Sequence, residues 1–275
     1  MSSYLSILNL MRIGLLAIML TNFASSAEVR ALAHIRQYGA SLDTSLRNEA
    51  THAMTQTLDW LLAQQLANGE WQSSNSVQST SLVLCTLYAT NQNRLHSDAA
   101  TRAALWLNQS ITNQIPDLET HAWRLLALSL TLPQNVTQTV WLNKLARQAD
   151  FAARTASEDT RRFWHRVRVS VGLEASSDTG ENRSDQEQLA ELAKTWPPTP
   201  YPPAEQLWQL AQLINRVGAG QLVYENTPRD WRTDLARYLI NSQRYASIGG
   251  GYWLAPAQHD PIIENAFCIL TLLEL

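Results

Sequence analysis

The side chains best suited to chemistry are His121, Arg161 and Glu264. Each sits in the first turns of a segment that then becomes strongly apolar or amphipathic, as in DLETHAWRLLALSL from Asp117 to Leu130 and ENAFCILTLLEL from Glu264 to Leu275. When five such segments are aligned on their apolar cores, Ser79-Thr80, Thr120-His121, Thr160-Arg161, Glu205-Gln206 and Glu264-Asn265 share one register. Polar residues at helix starts are required by capping and by the helix dipole alone. His121, Arg161 and Glu264 are the members that capping does not explain. Around one cavity, a histidine serves as base, an arginine as anion clamp and a glutamate as acid. Taken singly, each is also explained by a structural hydrogen bond or ion pair. Glu205, from the same register, and Tyr201, just upstream of it, complete the set of cavity candidates.

The elements that must position these residues are helices. The chain has 275 residues, a formal charge of −3 and 45% hydrophobic residues, with only 10 Gly but 10 Trp. That composition suits one sizeable core of packed helices. No Lys/Arg run marks a nucleic-acid surface. Cys85 and Cys268 both lie in apolar helical runs and read as small buried hydrophobes without metal-ligand spacing. There is no Gly-rich phosphate loop, no Gly-x-Ser-x-Gly and no His-Glu-x-x-His, and no cofactor or metal is expected.

The organising stretch is WLLAQQLANGEW, Trp60 to Trp71. Leu58, Leu61, Leu62 and Leu66 fall at helical spacing, and Asn68-Gly69 ends the helix because Gly takes the left-handed position beyond it most cheaply. Trp71 then plugs the corner, and Ser79 to Tyr88 forms a second, more apolar helix. The unit returns near the C-terminus, where Tyr238-Leu239, Gln243, Gly251 and Trp253 repeat Trp60-Leu61, Gln65, Gly69 and Trp71 with a longer loop. Two copies at the two ends of a helical chain suggest a closed or nearly closed array.

The order aromatic-Leu-x3-Gln-x3-Gly-x-Trp resembles the QW motif of squalene–hopene cyclases, within the terpenoid cyclase/prenyltransferase superfamily. The resemblance implies an all-α fold, an α/α toroid in which inner helices ring an axis and outer helices surround them. It also implies that the inner helices run the same way, so that their first turns converge on one mouth. The catalytic motifs of that family are absent. No Asp-x-Asp-Asp run exists, the nearest being Asp117-Leu-Glu119 and Glu158-Asp159, and Cys268 with His259-Asp260 lacks the arrangement of the prenyltransferase zinc site. The family's activities therefore do not carry over.

In order, the pattern predicts helices at Glu28–Leu42, Ser45–Leu66, Ser79–Tyr88, Asp98–Ile111, Asp117–Leu130, Thr137–Ala153, Glu158–Leu173, Gln186–Trp196, Ala204–Val217, Pro228–Ser242 and Glu264–Leu275. Ala175 to Ser184 reads as a polar loop, and Pro197 to Pro203 as a stiff connector. That is five to six helix pairs in a single domain, 28–275, behind a signal peptide, 1–27. The leader reading rests on Arg12, the apolar run Ile13–Leu20 and the small residues Ser25 and Ala27 before Glu28. The run is too short for a comfortable span, so the mature chain is expected to be exported, periplasmic and without a stable membrane span.

Three functions compete. The first is an exported, non-catalytic ligand-binding or accessory protein with an axial cavity for a small molecule, lipid or glycan. The second is a cell-envelope enzyme on the same scaffold, resembling polysaccharide lyases or hydrolases, with Arg161 or Arg166 holding a uronate and His121 or Tyr201 as base. The third, a terpenoid-processing enzyme, lacks its acid. A wide apolar tunnel would favour lipid, an open groove with exposed Trp and Arg would favour glycan, and a plugged axis would favour an interaction role.

Overall fold

The computed structural model describes residues 42–92, 95–110, 117–131, 136–173, 181–194, 196–197, 201–224, 227–246 and 250–275. The leader, most of the first expected helix, Pro116 and the middle of the Pro-rich connector lie outside them. The described residues are mostly helical, with no closed sheet. The helices are α1 (Thr44–Ala63), α2 (Ser76–Ala89), α3 (Ser97–Gln109), α4 (Leu118–Thr131), α5 (Val136–Gln148), α6 (Asp150–Thr155), α7 (Glu158–Ser170), α8 (Glu181–Ala193), α9 (Ala204–Val217), α10 (Trp231–Ser242) and α11 (Pro261–Leu273). Two short antiparallel hairpins flank α10: β1 (Leu222–Tyr224) with β2 (Thr227–Arg229), and β3 (Arg244–Tyr245) with β4 (Gly251–Tyr252).

Local chemistry sets most of these boundaries. Asp43, Asn75, Ser157, Asp230 and Asp260 each accept a backbone N–H in the first turn of their helix. Pro261 occupies the start of α11, where a missing N–H costs nothing. Gly218 ends α9 at φ 74°. Four expectations shift. The helix expected to run to Leu66 and stop at Asn68-Gly69 ends at Ala63 with Gln64 as its cap, and Gly69 turns left-handed in the loop beyond. The helix expected from Thr137 to Ala153 breaks into α5 and α6. Part of the expected polar loop is helical, since α8 already begins at Glu181. The residues expected to open the last outer helix instead form β2.

Five helices, α2, α4, α7, α9 and α11, carry the apolar core. α4 packs against α2 and α7, while α11 packs against α9 and α2. The others lie outside: α1 on α11, α3 on α2 and α4, α5 on α4, α8 on α9, and α10 on α1 and α11. Aromatic rings link four of the core helices. Trp123 of α4 meets Phe163 of α7, Trp208 of α9 and Phe267 of α11 at centroid distances of 5.2, 5.3 and 5.7 Å. Such pairs contribute about 0.5–1.5 kcal/mol each beyond the area they bury.

The two corners are built alike. Trp71 Nε1 donates to Leu61 O at 2.6 Å, and Trp253 Nε1 donates to Leu239 O at 2.7 Å. The backbone N–H of Trp71 is taken by Thr80 Oγ1, that of Trp253 by Asn265 Oδ1. Each corner also grips an outer helix other than its own. Gln65 Nε2 donates to Ala99 O in α3, and Gln243 Nε2 donates to Ala53 O in α1. The last unit therefore docks on the first as the first docks on the second. The left-handed glycine differs from the expected alignment: Gly69 has φ 97°, but its counterpart is Gly250, φ 82°, one residue before Gly251. A Cβ at Gly69 would lie 2.4 Å from Arg102 O, and one at Gly250 would lie 2.7 Å from Gln56 O. The longer second loop moves the tight approach by one position.

Candidate functional site

A cleft of about 570 Å³ opens between α7 and α9. Its floor is α4, through Glu119 and Trp123, and α8 adds Asp185 and Gln188. α7 supplies Thr160, Arg162, Phe163 and Arg166. α9 supplies a stripe of Glu205, Gln209, Gln212 and Arg216. That spacing, i, i+4, i+7 and i+11, keeps one face of a helix in line. On an inner helix it is the spacing where apolar residues would close a seam against a neighbour. Here it carries an acid, two amides and a cation.

The acidic end has a distinct electrostatic character. Burial, then the charges of Glu205 and Asp117, push the Glu119 carboxyl up to about 7. Glu205 is also raised, chiefly by burial, with Glu264 adding to it and His259 opposing it. Gln78 donates to Glu119 Oε1 at 3.1 Å, and Gln209 donates to Glu205 Oε1 at 3.0 Å. At the other end Arg216 Nε donates to Asp185 Oδ2 at 3.0 Å, which fixes the guanidinium plane.

Of the candidates taken from sequence, Glu205 lines the cleft; His121, Arg161, Glu264 and Tyr201 do not. His121 is fully buried on the far side of α4, where Nε2 meets Leu145 O at 2.8 Å and Nδ1 meets Arg124 at 3.0 Å. Arginine only donates, so Nδ1 is the acceptor and Nε2 carries the proton. Burial, helped by the Arg124 charge, pushes this imidazole down to about 4. Arg161 is exposed and paired with Glu158 at 2.6 Å. Glu264 caps α9 from a neighbouring helix, its Oε1 accepting Ala204 N–H at 3.0 Å. Burial foremost raises its carboxyl. Tyr201 stacks on Tyr238 at 3.6 Å. All four of these side chains thus have structural partners.

The correction has a simple cause. Aligning helix starts sets how high a residue stands along a helix, but each residue turns about 100° from the last. Glu119 and Trp123, four apart, share the face toward the cleft, while His121 lies between them in sequence and points away. Of the residues expected to hold or attack a uronate, Arg166 alone lines the cleft. Sequence reading passed over Glu119, Gln209, Gln212 and Arg216. Their legible signal was the polar stripe inside an otherwise apolar helix.

Among the described residues no group of three or more His, Cys, Asp or Glu side chains is placed to hold a metal ion, and no helix is long and apolar enough to cross a membrane. Both cysteines are buried free thiols. No family model, curated protein or solved structure matches the chain.

Proposed function

We propose that this chain is an exported α/α toroid of five helix pairs that acts as a binding protein, taking a polar ligand in the cleft between α7 and α9. The pairs are α1/α2, α3/α4, α5–α6/α7, α8/α9 and α10/α11. Support for the closed arrangement comes from Gln243, which reaches α1 as Gln65 reaches α3. The resemblance of both corners to the QW motif supports the same reading.

One observation carries the binding role. Along α9 the exposed Gln206 and Gln209, with Glu205 and Arg216 at either end, line the cleft where apolar residues could have closed a seam, while Gln212 beneath them is buried against Glu274. A polar stripe there contributes little to the core. It is suited to a ligand that exchanges hydrogen bonds with it. The mutual packing of Trp123, Trp208 and Phe267 weighs against an isoprenoid tunnel between α4, α9 and α11.

The test pairs ligand retention with stability. Protein recovered from a periplasmic extract is inspected by native mass spectrometry, beside a Gln206→Leu/Gln209→Leu variant. The wild type should carry or take up a polar molecule, and the variant should lose it with an unchanged melting temperature. Equal uptake by both proteins would remove the cleft from the mechanism. The same spectra read the N-terminus: Glu28 is expected, and an intact Met1 would overturn export with cleavage.

A further inference from the structure

We propose that the cleft binds a short linear peptide with free ends, its ammonium held by Glu119 and Glu205 and its terminal carboxylate by Arg216. This rests on the cleft being the binding site and adds the class of ligand.

The α9 stripe starts at a carboxylate and ends at a guanidinium, eleven residues later. At about 1.5 Å per residue the two ends stand about 16 Å apart. An extended peptide advances about 3.5 Å per residue, so three to five residues span the gap once the side chains reach inward. Between the charged ends the lining is rich in primary amides: Gln188, Gln206, Gln209 and Gln212. Gln188 and Gln206 offer a carbonyl and an NH2 group, the same pair that a peptide backbone presents, while Gln209 gives its NH2 group to Glu205 and Gln212 gives its own to Glu274. Arg216 uses Nε for Asp185, so its two NH2 groups face a carboxylate already oriented.

A sugar is a poorer fit. Stacking a ring needs an open aromatic face, yet Trp123 is 1% exposed and Trp208 is 3% exposed, with their rings packed on each other. A lipid is poorer still, because the walls carry charge at both ends.

The acidic end adds a consequence that can be measured. Glu119 is faced by Gln78 from α2, Asp117 at its own helix start and Glu205 from α9. Arg162 and Arg166 of α7 line the same cleft, and Glu264 and His259 stand behind Glu205. Its carboxyl, raised to about 7, is partly protonated at neutral pH. An arriving ammonium favours the ionised form and expels that proton. Peptide affinity should therefore rise between pH 5 and pH 8, with proton release on binding.

The experiment uses the full chain and a mixed-sequence pool of tri- to pentapeptides, read by native mass spectrometry. Retained members then go to calorimetry, with cellotetraose as a neutral comparator. Free-ended peptides should bind. N-acetylation should weaken them at least tenfold at pH 8, and Glu119→Gln/Glu205→Gln should erase that difference and the pH dependence. C-amidation should weaken them similarly, and Arg216→Gln should erase that difference. Circular dichroism checks that the variants remain folded. If free and blocked peptides bind alike, or if cellotetraose binds and peptides do not, the peptide assignment is wrong while the cleft reading stands. If neither probe binds, both fall.

Discussion

Where α11 meets α2, ten of the thirteen residues of α11 are buried, Ala266, Phe267, Ile269 and Leu270 among them. α7, which borders the cleft, buries Trp164, Val167 and Ser170 among its described side chains. Both are inner helices of similar length. α11 is enclosed on nearly every side, by α1, α2, α9 and α10. α7 holds a narrow stripe against α4 and leaves Arg162 and Arg166 half-exposed along the cleft. The sealed side also carries both Gln–Gly–Trp corners, with a Trp donating back into its own outer helix at each. Among the described residues the open side shows no such corner. Where the two corners stand, the helices are sealed against one another; between α7 and α9 a cleft with charged walls appears.

The sharpest way to break this contrast is at the sealed side. Trp71→Ala and Trp253→Ala should each cost about 3–5 kcal/mol in chemical denaturation, because each removes a buried ring and its donor. Near-equal losses are expected, since the two corners share their bonds. A loss below about 1 kcal/mol at either position would mean that the corner does not hold the fold.

Next in size come two opposed pH effects at the two faces of α4. His121 is held near 4 when folded against 6.5 when unfolded. The unfolded chain binds the extra proton, so His121 favours folding fully above about pH 6.5, and this is lost as pH falls toward 4. For a fully buried ring that is about 3 kcal/mol. Glu119 runs the other way, from 4.5 unfolded to about 7 folded. The folded chain binds the extra proton there, so its contribution is greatest below about pH 4.5 and is lost as pH rises to 7. Partial exposure reduces this to about 2 kcal/mol. Denaturant titrations from pH 4 to 8 should show Glu119→Gln losing less stability with rising pH than the wild type. An unchanged profile would place the Glu119 carboxyl in ordinary solvent.

Smaller again is the glycine pair. Gly69→Ala and Gly250→Ala each put a side chain on a left-handed backbone against a carbonyl. About 1–3 kcal/mol is expected for each by denaturation. If Gly250→Ala is harmless, the second corner does not press on α1, and the case for a closed array weakens.

The smallest effect on stability belongs to the cleft. Gln206→Leu and Gln209→Leu, both at exposed positions, should change stability by about 0.5 kcal/mol or less. A large stabilisation would show the seam closing on itself when made apolar, and the polar stripe would then be what keeps it open.

Much of the helical framework was legible from residue order. Leucine spacing and the run of polar residues at helix starts act within one or two turns, so they can be read in a line, whereas the stop expected at Gly69 came earlier, at Ala63. Ala204–Val217 was read to the residue. The likeness of the two corners was legible for the same reason, although the loop insertion hid which glycine turns left-handed. The breaks were not legible. The helix expected from Thr137 to Ala153 splits, and residues expected to open α10 pair as a strand, both within otherwise suitable propensity.

What residue order determined by itself was helix identity, capping and the twin corners, because these depend on neighbours a few residues away. Which face of each helix meets another, and which meets a cleft, was decided only by tertiary packing. His121 and Glu119 are two residues apart on one helix, yet one is enclosed beside Arg124 and the other lines open space. A helix turns each side chain about 100° from the last, and only the positions of α5, α7 and α9 around α4 give those directions a meaning.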